Sequence, residues 1–256
     1  IGTQLTSLHG DFESSLNRLR ILLGELQDKV MRVRMTPMTT IANRLRRTVR
    51  ETARQLDKEI LFTIQGEYIE LDKMVWEKLA DPLMHLLRNA IDHGIETSAQ
   101  RKQLGKPIPA RVQLSAEYQG DQVVIRVMDD GSGIDLNAIR HVTASCELVP
   151  EAAAMTDEEI VDMIFQPGFS TCANISEVSG RGVGMDVVKD NIEKLNGTID
   201  ILSRVGAGVT FRVKIPLTLA IIPALMVRVE SEVFTIPLPT VDETLLIRSD
   251  EISTIE

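Results

Sequence analysis

Five polar side chains recur at helical spacing in one short stretch of the chain. His85, Arg88, Asn89, Asp92 and His93 are separated by steps of three and four, so on a helix they share one face. Leucine, alanine and isoleucine residues fill the opposite face. Asn, Asp and His are poor formers of surface helix, which favours a binding or catalytic role over the alternative of a solvated polar stripe. We predict that this face holds a polar, charged ligand.

Three glycine clusters follow this polar stretch, at residues 129–133, 180–184 and 206–208. Glycine lets backbone N–H groups approach an anion, and the second cluster opens a predicted helix whose N-terminus favours negative charge. We therefore expect a phosphate chain near Gly182 and Gly184. The clusters match neither G-x-x-x-x-G-K-[ST] nor G-x-G-x-x-G. Any one cluster could serve a turn alone, whereas three in this order are more specific.

The overall composition limits the class of protein. A chain of 256 residues has room for more than one core, so two domains are the starting prediction. With 43% hydrophobic and 25% charged residues, it is typical of soluble globular protein. No apolar run approaches the roughly 20 residues of a membrane span, and a formal charge of −9 disfavours nucleic-acid binding. Two cysteines and no signal peptide favour a cytoplasmic location, and a start at Ile1 suggests a segment of a longer protein.

The N-terminal part predicts two helices. Apolar positions over residues 3–33 alternate in steps of four and three, which indicates a long helix with a heptad seam. Pro37 interrupts the pattern, and a second helix with Ile41 and Leu45 facing inward follows. Two helices bury little apolar surface, so we expect this hairpin to pair with a second copy as a four-helix bundle. The arginines of the second helix favour a solvated face over the alternative of a nucleic-acid or lipid surface.

From residue 59 the pattern changes to alternating strands and helices. A strand is predicted at residues 60–64, and hairpins at 111–128 and 198–215. Helices are predicted from Asp72 and over residues 183–195, with further short helices from Asp135 and after a capping box at 156–159. Residues 97–109 are predicted as a loop. This order predicts a sheet with helices on one face. After Pro216 two more strands predict an all-β module that the chain begins but does not finish.

Together these segments resemble the ATP-binding domain shared by histidine kinases, type II topoisomerases, Hsp90 chaperones and mismatch-repair ATPases. The resemblance lies in an N box, a first glycine box, a Phe box and a second glycine box, at residues 85–96, 129–134, 165–171 and 180–185. Within that superfamily the sequences at 85–94 and 177–188 resemble the CheA-type chemotaxis kinase. The resemblance covers nearly the whole chain, because residues 3–55 resemble its dimerisation hairpin and residues from 216 onward the start of its CheW-like regulatory domain.

The resemblance implies an α+β chain with three parts. Residues 1–57 would form an antiparallel helical hairpin, 58–216 an α/β sandwich ATP-binding domain of the histidine kinase, gyrase and Hsp90 type, and 217–256 the start of an SH3-like β module. The implied enzyme is an ATP-dependent protein-histidine kinase of a chemotaxis-type two-component system. Its implied partners are a second copy, a histidine-phosphotransfer domain, a CheW-like adaptor, a receptor array and a response regulator. The alternatives are a dimeric scaffold with a weak nucleotide site, or a gyrase- or Hsp90-like ATPase.

The resemblance also implies roles for single residues, with ATP and Mg²⁺ as the bound groups. Asn89 would supply its side-chain oxygen to Mg²⁺, and Asp129, supported by Thr210, would accept a hydrogen bond from the adenine amino group. His85 occupies the position where ATP-hydrolysing relatives carry a glutamate that activates water, which suits transfer to a nucleophilic histidine. The other nucleotide-binding residues implied are Asp92, His93, Gly131, Gly133, Ser170, Thr171, Gly180, Arg181, Gly182, Gly184 and Met185.

Two features depart from the family pattern. Relatives often carry a lysine in the lid after Thr171, whereas Cys172 follows it here, which would leave His93 and Arg181 to offset the phosphate charge. None of the four histidines lies in the setting of an ordinary kinase acceptor helix. The resemblance therefore implies an acceptor histidine on a separate phosphotransfer domain, phosphorylated across the dimer.

Overall fold

The computed structural model describes residues 15–16, 18–19, 22–24, 26, 29, 33–136, 139–140, 143, 155–166, 184–217, 224–229, 232–241 and 243–245. The chain divides into two compact units, Ile1–Leu217 and Thr218–Glu256. No helix among the described residues is long and apolar enough to cross a membrane.

The described elements of the first unit alternate between strands and helices. In chain order they are β1 (Met35–Pro37), α1 (Thr39–Gln55), β2 (Ile60–Gln65), β3 (Glu70–Asp72), α2 (Lys73–Asn89), a π-helical turn (Ala90–Gly94), α3 (Ser98–Gln103), β4 (Ala110–Gln119), β5 (Gln122–Asp129), α4 (Asp157–Asp162), a 3₁₀ turn (Met163–Phe165), α5 (Met185–Glu193), β6 (Thr198–Arg204) and β7 (Gly208–Pro216).

Five of these strands form a mixed sheet in the order β2-β4-β5-β7-β6. The β2–β4 pair is parallel and the other pairs are antiparallel, so both predicted hairpins are confirmed. Along β4 the buried Val112 and Leu114 alternate with the more exposed Gln113 and Ser115, as the two-residue period of a half-buried strand requires. The buried face of the sheet shares one apolar core with α1, α2 and α5. The predicted sheet with helices on one face is thus confirmed.

Helix α2 carries the polar stretch and is fixed at its start. Asp72 is its N-cap, because the Asp72 carboxylate accepts a hydrogen bond from the backbone N–H of Met74 at 2.8 Å. Arg34 forms an ion pair with the same carboxylate at 3.0 Å. Trp76 is fully buried, and its indole N–H donates to the backbone oxygen of Thr36 at 2.8 Å. The apolar face of α2 buries Val75, Leu79, Leu83, Leu86 and Leu87. Each such side chain contributes roughly 1.5–3 kcal/mol by leaving water, so the polar face has a rigid support.

Helix α1 is the second predicted helix, but it belongs to the same compact unit as the sheet. Its buried Ile41, Leu45 and Val49 pack in one core with α2. An apolar face covered by its own chain is not available for a four-helix bundle. The predicted hairpin with α1 as its second arm is therefore not confirmed, and the predicted division at residue 57 does not separate compact units.

Only scattered positions of the predicted first helix are described, and those between residues 15 and 34 are helical. Among them Leu16, Leu19, Leu23 and Leu26 are about half exposed. The seam as a whole lies outside the described residues, so its pairing with a second copy stays a prediction.

Two further segments can be compared with the sequence predictions. Pro37 does interrupt the helical pattern, but Met35–Pro37 forms a strand that pairs with β3 in antiparallel register. In the second unit β8 (Ala224–Val229) and β9 (Glu232–Pro237) form an antiparallel hairpin, which confirms the two predicted strands. An SH3-like module beyond this hairpin is not confirmed.

Candidate functional site

The polar stretch does not end as an ordinary helix. The α-helical part stops at Asn89, and a π-helical turn follows, closed by a 2.8 Å hydrogen bond from the Ile95 N–H to the Ala90 oxygen. The helical stretch ends at Gly94, although Gly94 does not have the positive φ of a left-handed C-terminal glycine. Single π-turns within helices occur often at functional sites. Here the wider turn holds Asp92 and His93, two of the predicted site residues.

Gly94 has a different physical role, which is contact with the first glycine box. A Cβ at Gly94 would lie 3.3 Å from the Asp129 carboxylate, and one at Gly131 would lie only 2.0 Å from the Gly94 oxygen. The Gly94 oxygen also accepts a hydrogen bond from the Ser132 N–H at 2.8 Å. The absence of side chains thus lets the end of the N box lie directly against the first glycine box.

Asp129 lies at the end of β5, at the centre of this junction. Its Oδ1 accepts hydrogen bonds from the backbone N–H groups of Gly131 at 2.9 Å and Val209 at 3.3 Å. Burial raises the pKa of Asp129 to about 6, although the two N–H donors act in the opposite direction. The structure therefore has a carboxylate acceptor that is orientated from two sides and sheltered from water.

Thr210 is not part of this junction, which corrects the expected pairing with Asp129. In the β5–β7 register Thr210 lies opposite Met128, one residue before Asp129. Successive side chains point to opposite faces of a sheet, so Thr210 lies on the other face from Asp129. The buried Val209 and Phe211 share the Asp129 face, and the Val209 N–H makes the contact. The alternation of Val209, Thr210 and Phe211 was the sequence signal that could have shown this.

The first and third glycine clusters also meet each other. Gly133 has a φ of +73°, and a Cβ there would lie 2.3 Å from the Arg204 oxygen. A Cβ at Gly208 would lie 1.9 Å from the Asp129 oxygen. The Gly206 N–H donates to the Ser132 oxygen at 2.6 Å. At Gly133 and Gly208 a side chain would collide with the chain's own backbone. The sequence analysis had explained these glycines by the nucleotide and not by this backbone packing.

Asn89 lies beside the start of α5. Its Nδ2 donates to the sulfur of Met185 at 3.2 Å, and Met185, buried, is the first residue of α5 after the N-cap Gly184. With the amide nitrogen facing Met185, Oδ1 is the end of the Asn89 amide that can bind a cation. The N-terminus of α5, which favours anions, is thereby held next to a possible cation ligand.

His85 lies one helical turn before Asn89 and is 9% exposed. Burial is the main cause that lowers its pKa below the ordinary 6.5, and the positive charges of Arg88 and His93 lower it further, against an opposing effect of Asp186. The imidazole is therefore neutral at pH 7 and can accept a proton. His93, by contrast, is 63% exposed in its side chain, with Nε2 3.7 Å from the Asp92 carboxylate.

A buried ionic cluster, which sequence reasoning missed, connects the two boxes. It consists of Glu96, Arg101, Lys106 and Asp130. The guanidinium of Arg101, 1% exposed, lies 2.9 Å from both the Glu96 and the Asp130 carboxylates. Lys106 donates to Glu96 at 2.6 Å and to the Gly131 oxygen at 2.7 Å. The segment predicted as a plain loop thus contains α3 and fastens the first glycine box to the N box.

Five predicted site residues lie outside the described residues: Ser170, Thr171, Gly180, Arg181 and Gly182. Of the Phe box, Phe165 is buried in the main core and has the Lys189 ammonium 5.5 Å from its ring centre. Of the remaining predicted residues, the structure brings together Asp129 with Gly131, and Asn89 with Met185. Their roles toward a nucleotide stay predictions.

Known proteins are similar in sequence to this chain over the part that contains the site. The family model described as histidine kinase-, DNA gyrase B-, and HSP90-like ATPase matches residues 78–219. Chemotaxis protein CheA of Treponema pallidum is 46% identical over 245 residues, which are 96% of this chain and 30% of that protein. Sensor histidine kinase CheAY of Helicobacter pylori is 49% identical over 234 residues, which are 91% of this chain and 29% of that protein. The chain thus spans less than a third of the length of these relatives.

Proposed function

The chain belongs to the histidine kinase-, DNA gyrase B-, and HSP90-like ATPase family, and from this premise we propose that it is the kinase core of a chemotaxis-type two-component system. It would bind Mg-ATP and transfer the γ-phosphate to a histidine on a phosphotransfer domain outside this chain. The strongest support is the junction where Asp129, Gly94 and Gly131 meet, because its acceptor carboxylate contacts the end of the π-helical turn that begins directly after Asn89.

Asp129 is the proposed adenine contact. A carboxylate accepts N–H hydrogen bonds about twice as strongly as a neutral group. The N–H groups of Gly131 and Val209 occupy Oδ1 and orient the carboxylate, so Oδ2 is the proposed acceptor for the exocyclic amino group. This is consistent with the first glycine box serving to position Asp129 rather than to touch the phosphates.

Asn89 is the proposed protein ligand of Mg²⁺. Its Oδ1 is an oxygen ligand of the kind that Mg²⁺ prefers, and the ion is usually held by few protein groups together with phosphates and waters. When bound, Mg²⁺ would neutralise charge on the β- and γ-phosphates. The N-terminus of α5 would add positive potential beside Asn89, and His93 and Arg181 would help to offset the phosphate charge.

His85 is the proposed catalytic residue. In the transfer, a ring nitrogen of the acceptor histidine forms a bond to the γ-phosphorus while the bond to the β,γ-bridging oxygen breaks, and ADP leaves. The acceptor imidazole must lose a proton during this exchange. His85 is neutral because burial lowers its pKa, so it can take that proton.

The decisive experiment supplies the chain with γ-labelled ATP, Mg²⁺ and an isolated histidine-phosphotransfer domain. We expect acid-labile label on the acceptor, which is the property of a histidine kinase. Free labelled phosphate without labelled acceptor would instead identify a gyrase- or Hsp90-like ATPase. Neither product, with a folded chain, would identify a scaffold with a weak nucleotide site.

Nucleotide affinity is expected to decrease in acid because of Asp129. Its pKa of about 6 lies above the ordinary 3.8, so the carboxylate form that accepts the amino group is lost as the pH falls through 6. At pH 5 the affinity should be about tenfold weaker than at pH 7 if only the carboxylate binds. Calorimetric titration with ATP across this range measures the effect. Asp129→Asn is the matched control, since its affinity should be weak and free of this pH dependence; a parallel decrease in that variant would contradict the assignment.

The same proposal includes the partners of a chemotaxis kinase, namely a second copy, a CheW-like adaptor, a receptor array and a response regulator, in the cytoplasm. Nucleic acid is not among them.

Three of the five arginines of α1 pair with acidic neighbours, which supports the solvated-face interpretation: Arg44 pairs with Asp81 and Arg47 with Glu51, both at 2.7 Å. Arg46 pairs with Glu67.

A further inference from the structure

Lys58 makes an unusual set of contacts just after helix α1. Its ammonium donates to three backbone oxygens of the N box: Ile91 at 2.8 Å, Asp92 at 2.8 Å and Ile95 at 2.7 Å. An ammonium has three N–H donors, so every donor is used. The backbone N–H of Lys58 is bonded to the Ala53 oxygen at 3.0 Å, in the last turn of α1. One residue therefore joins the end of α1 to the π-helical turn.

The π-helical turn needs such a partner. The last carbonyl groups of a helix have no partner within it and carry partial negative charge. In this helix those groups include the oxygens of Ile91 and Asp92, and Lys58 reaches both from a segment more than 30 residues away in sequence. An external cation that donates three hydrogen bonds, to these two oxygens and to that of Ile95, therefore stabilises the turn.

The three hydrogen bonds of the Lys58 ammonium go to main-chain oxygens, that of Asp92 included, so Lys58 acts on the backbone of the N box. It holds the main chain of the turn that carries Asp92 and His93 and that begins directly after Asn89. A shift of this turn would move Asn89, which directly precedes it, relative to Met185. Small displacements of that kind are costly, because a metal ligand must stay in place.

We propose that Lys58 is a positioning residue of the nucleotide site: its ammonium fixes the π-helical turn, and with it the Mg²⁺ ligand Asn89, to the end of helix α1. This role rests on the proposed function, because it concerns the same site.

Lys58→Met tests the proposal, with Lys194→Met as the matched control. Lys194 is an exposed lysine at the end of α5 whose ammonium pairs with a neighbouring surface carboxylate, Asp190, at 2.6 Å. Amide hydrogen exchange of the ligand-free protein is measured first. We expect faster exchange in the peptide over residues 90–96 of Lys58→Met, with the β4–β5 hairpin unchanged, and no change in Lys194→Met.

Nucleotide binding is then measured calorimetrically with Mg²⁺ and with EDTA. We expect Lys58→Met to bind Mg-ATP roughly 10- to 100-fold more weakly, as for loss of a residue that supports a metal ligand. ATP in EDTA, which does not use the metal ligand, should change much less. Lys58→Arg keeps the charge but replaces the ammonium by a planar guanidinium, so an intermediate loss is expected.

The outcomes separate the two proposals. Unchanged exchange in the 90–96 peptide, or wild-type Mg-ATP affinity in both Lys58 variants, overturns the positioning role and leaves the proposed function standing. Faster exchange across the whole sheet, with equal losses in Mg²⁺ and in EDTA, overturns it as well, because this is the result of general destabilisation. Wild-type protein that fails to bind ATP at all overturns the proposed function itself.

Discussion

His85→Ala is expected to retain Mg-ATP binding and to transfer phosphate to a supplied phosphotransfer domain about 10²- to 10⁴-fold more slowly. The reason is its position and protonation state. His85 is buried on the face of α2 that carries Asn89, and burial lowers its pKa, so it is a neutral base at pH 7. Single-turnover transfer from labelled ATP measures the rate, and calorimetry measures the binding.

His85→Gln is the matched variant, because glutamine keeps a hydrogen-bonding group but takes up no proton. A loss as large as that of His85→Ala identifies proton transfer, whereas near wild-type rates in the glutamine variant would leave His85 only a hydrogen-bonding role. The wild-type rate should also decrease in acid, with an inflection below 6.5, since the base is lost only when the pH falls through its lowered pKa. An unchanged rate in His85→Ala removes His85 from catalysis.

Asn89→Ala is expected to weaken Mg-ATP binding by about a hundredfold or more, since outer residues that merely support a metal ligand already contribute 10- to 100-fold. The fold should remain, because the Asn89 amide donates to a sulfur, which is a weak acceptor. Calorimetry with and without Mg²⁺ measures the affinity, and thermal unfolding measures the stability.

Asn43→Ala is the control for this variant, since Asn43 lies on the exposed face of α1. It should bind Mg-ATP as the wild type does. If Asn89→Ala also keeps wild-type Mg-ATP affinity, the metal role of Asn89 is wrong. An equal loss for ATP in EDTA would indicate a contact with the nucleotide rather than with the metal.

Elements with a strong local pattern were predicted correctly from the sequence. Both hairpins of the sheet have alternating or apolar strands around short glycine-containing turns, and the cap Asp72 marks the start of α2 where it was expected. The packing of α1 was not predicted, because an amphipathic helix shows that it has an apolar face but not which partner covers it. The pairing of β1 with β3 joins segments more than 30 residues apart, which local pattern does not specify.

The site was also predicted only where local pattern was sufficient. Spacing along one helix was sufficient to place His85 and Asn89 on one face. The predicted support of Asp129 by Thr210 was displaced by one residue, and in a strand the next residue points to the other face of the sheet. Lys58 and Arg101 were not identified at all, since their partners lie on other segments and a lone basic residue has no distinguishing pattern.

The partly buried carboxylate of Asp129 has a consequence for the ligand-free protein. Its pKa is about 6 when folded and near 3.8 when unfolded, so above pH 6 the folded state bears the cost of keeping it ionised, and that cost disappears as the pH falls toward 3.8. The difference corresponds to about 3 kcal/mol at neutral pH, a large part of the 5–15 kcal/mol that holds a typical domain together. The ligand-free chain at pH 7 is thus weakened at the very place where adenine is proposed to dock, and occupancy of that place would make it markedly more resistant to heat and proteases.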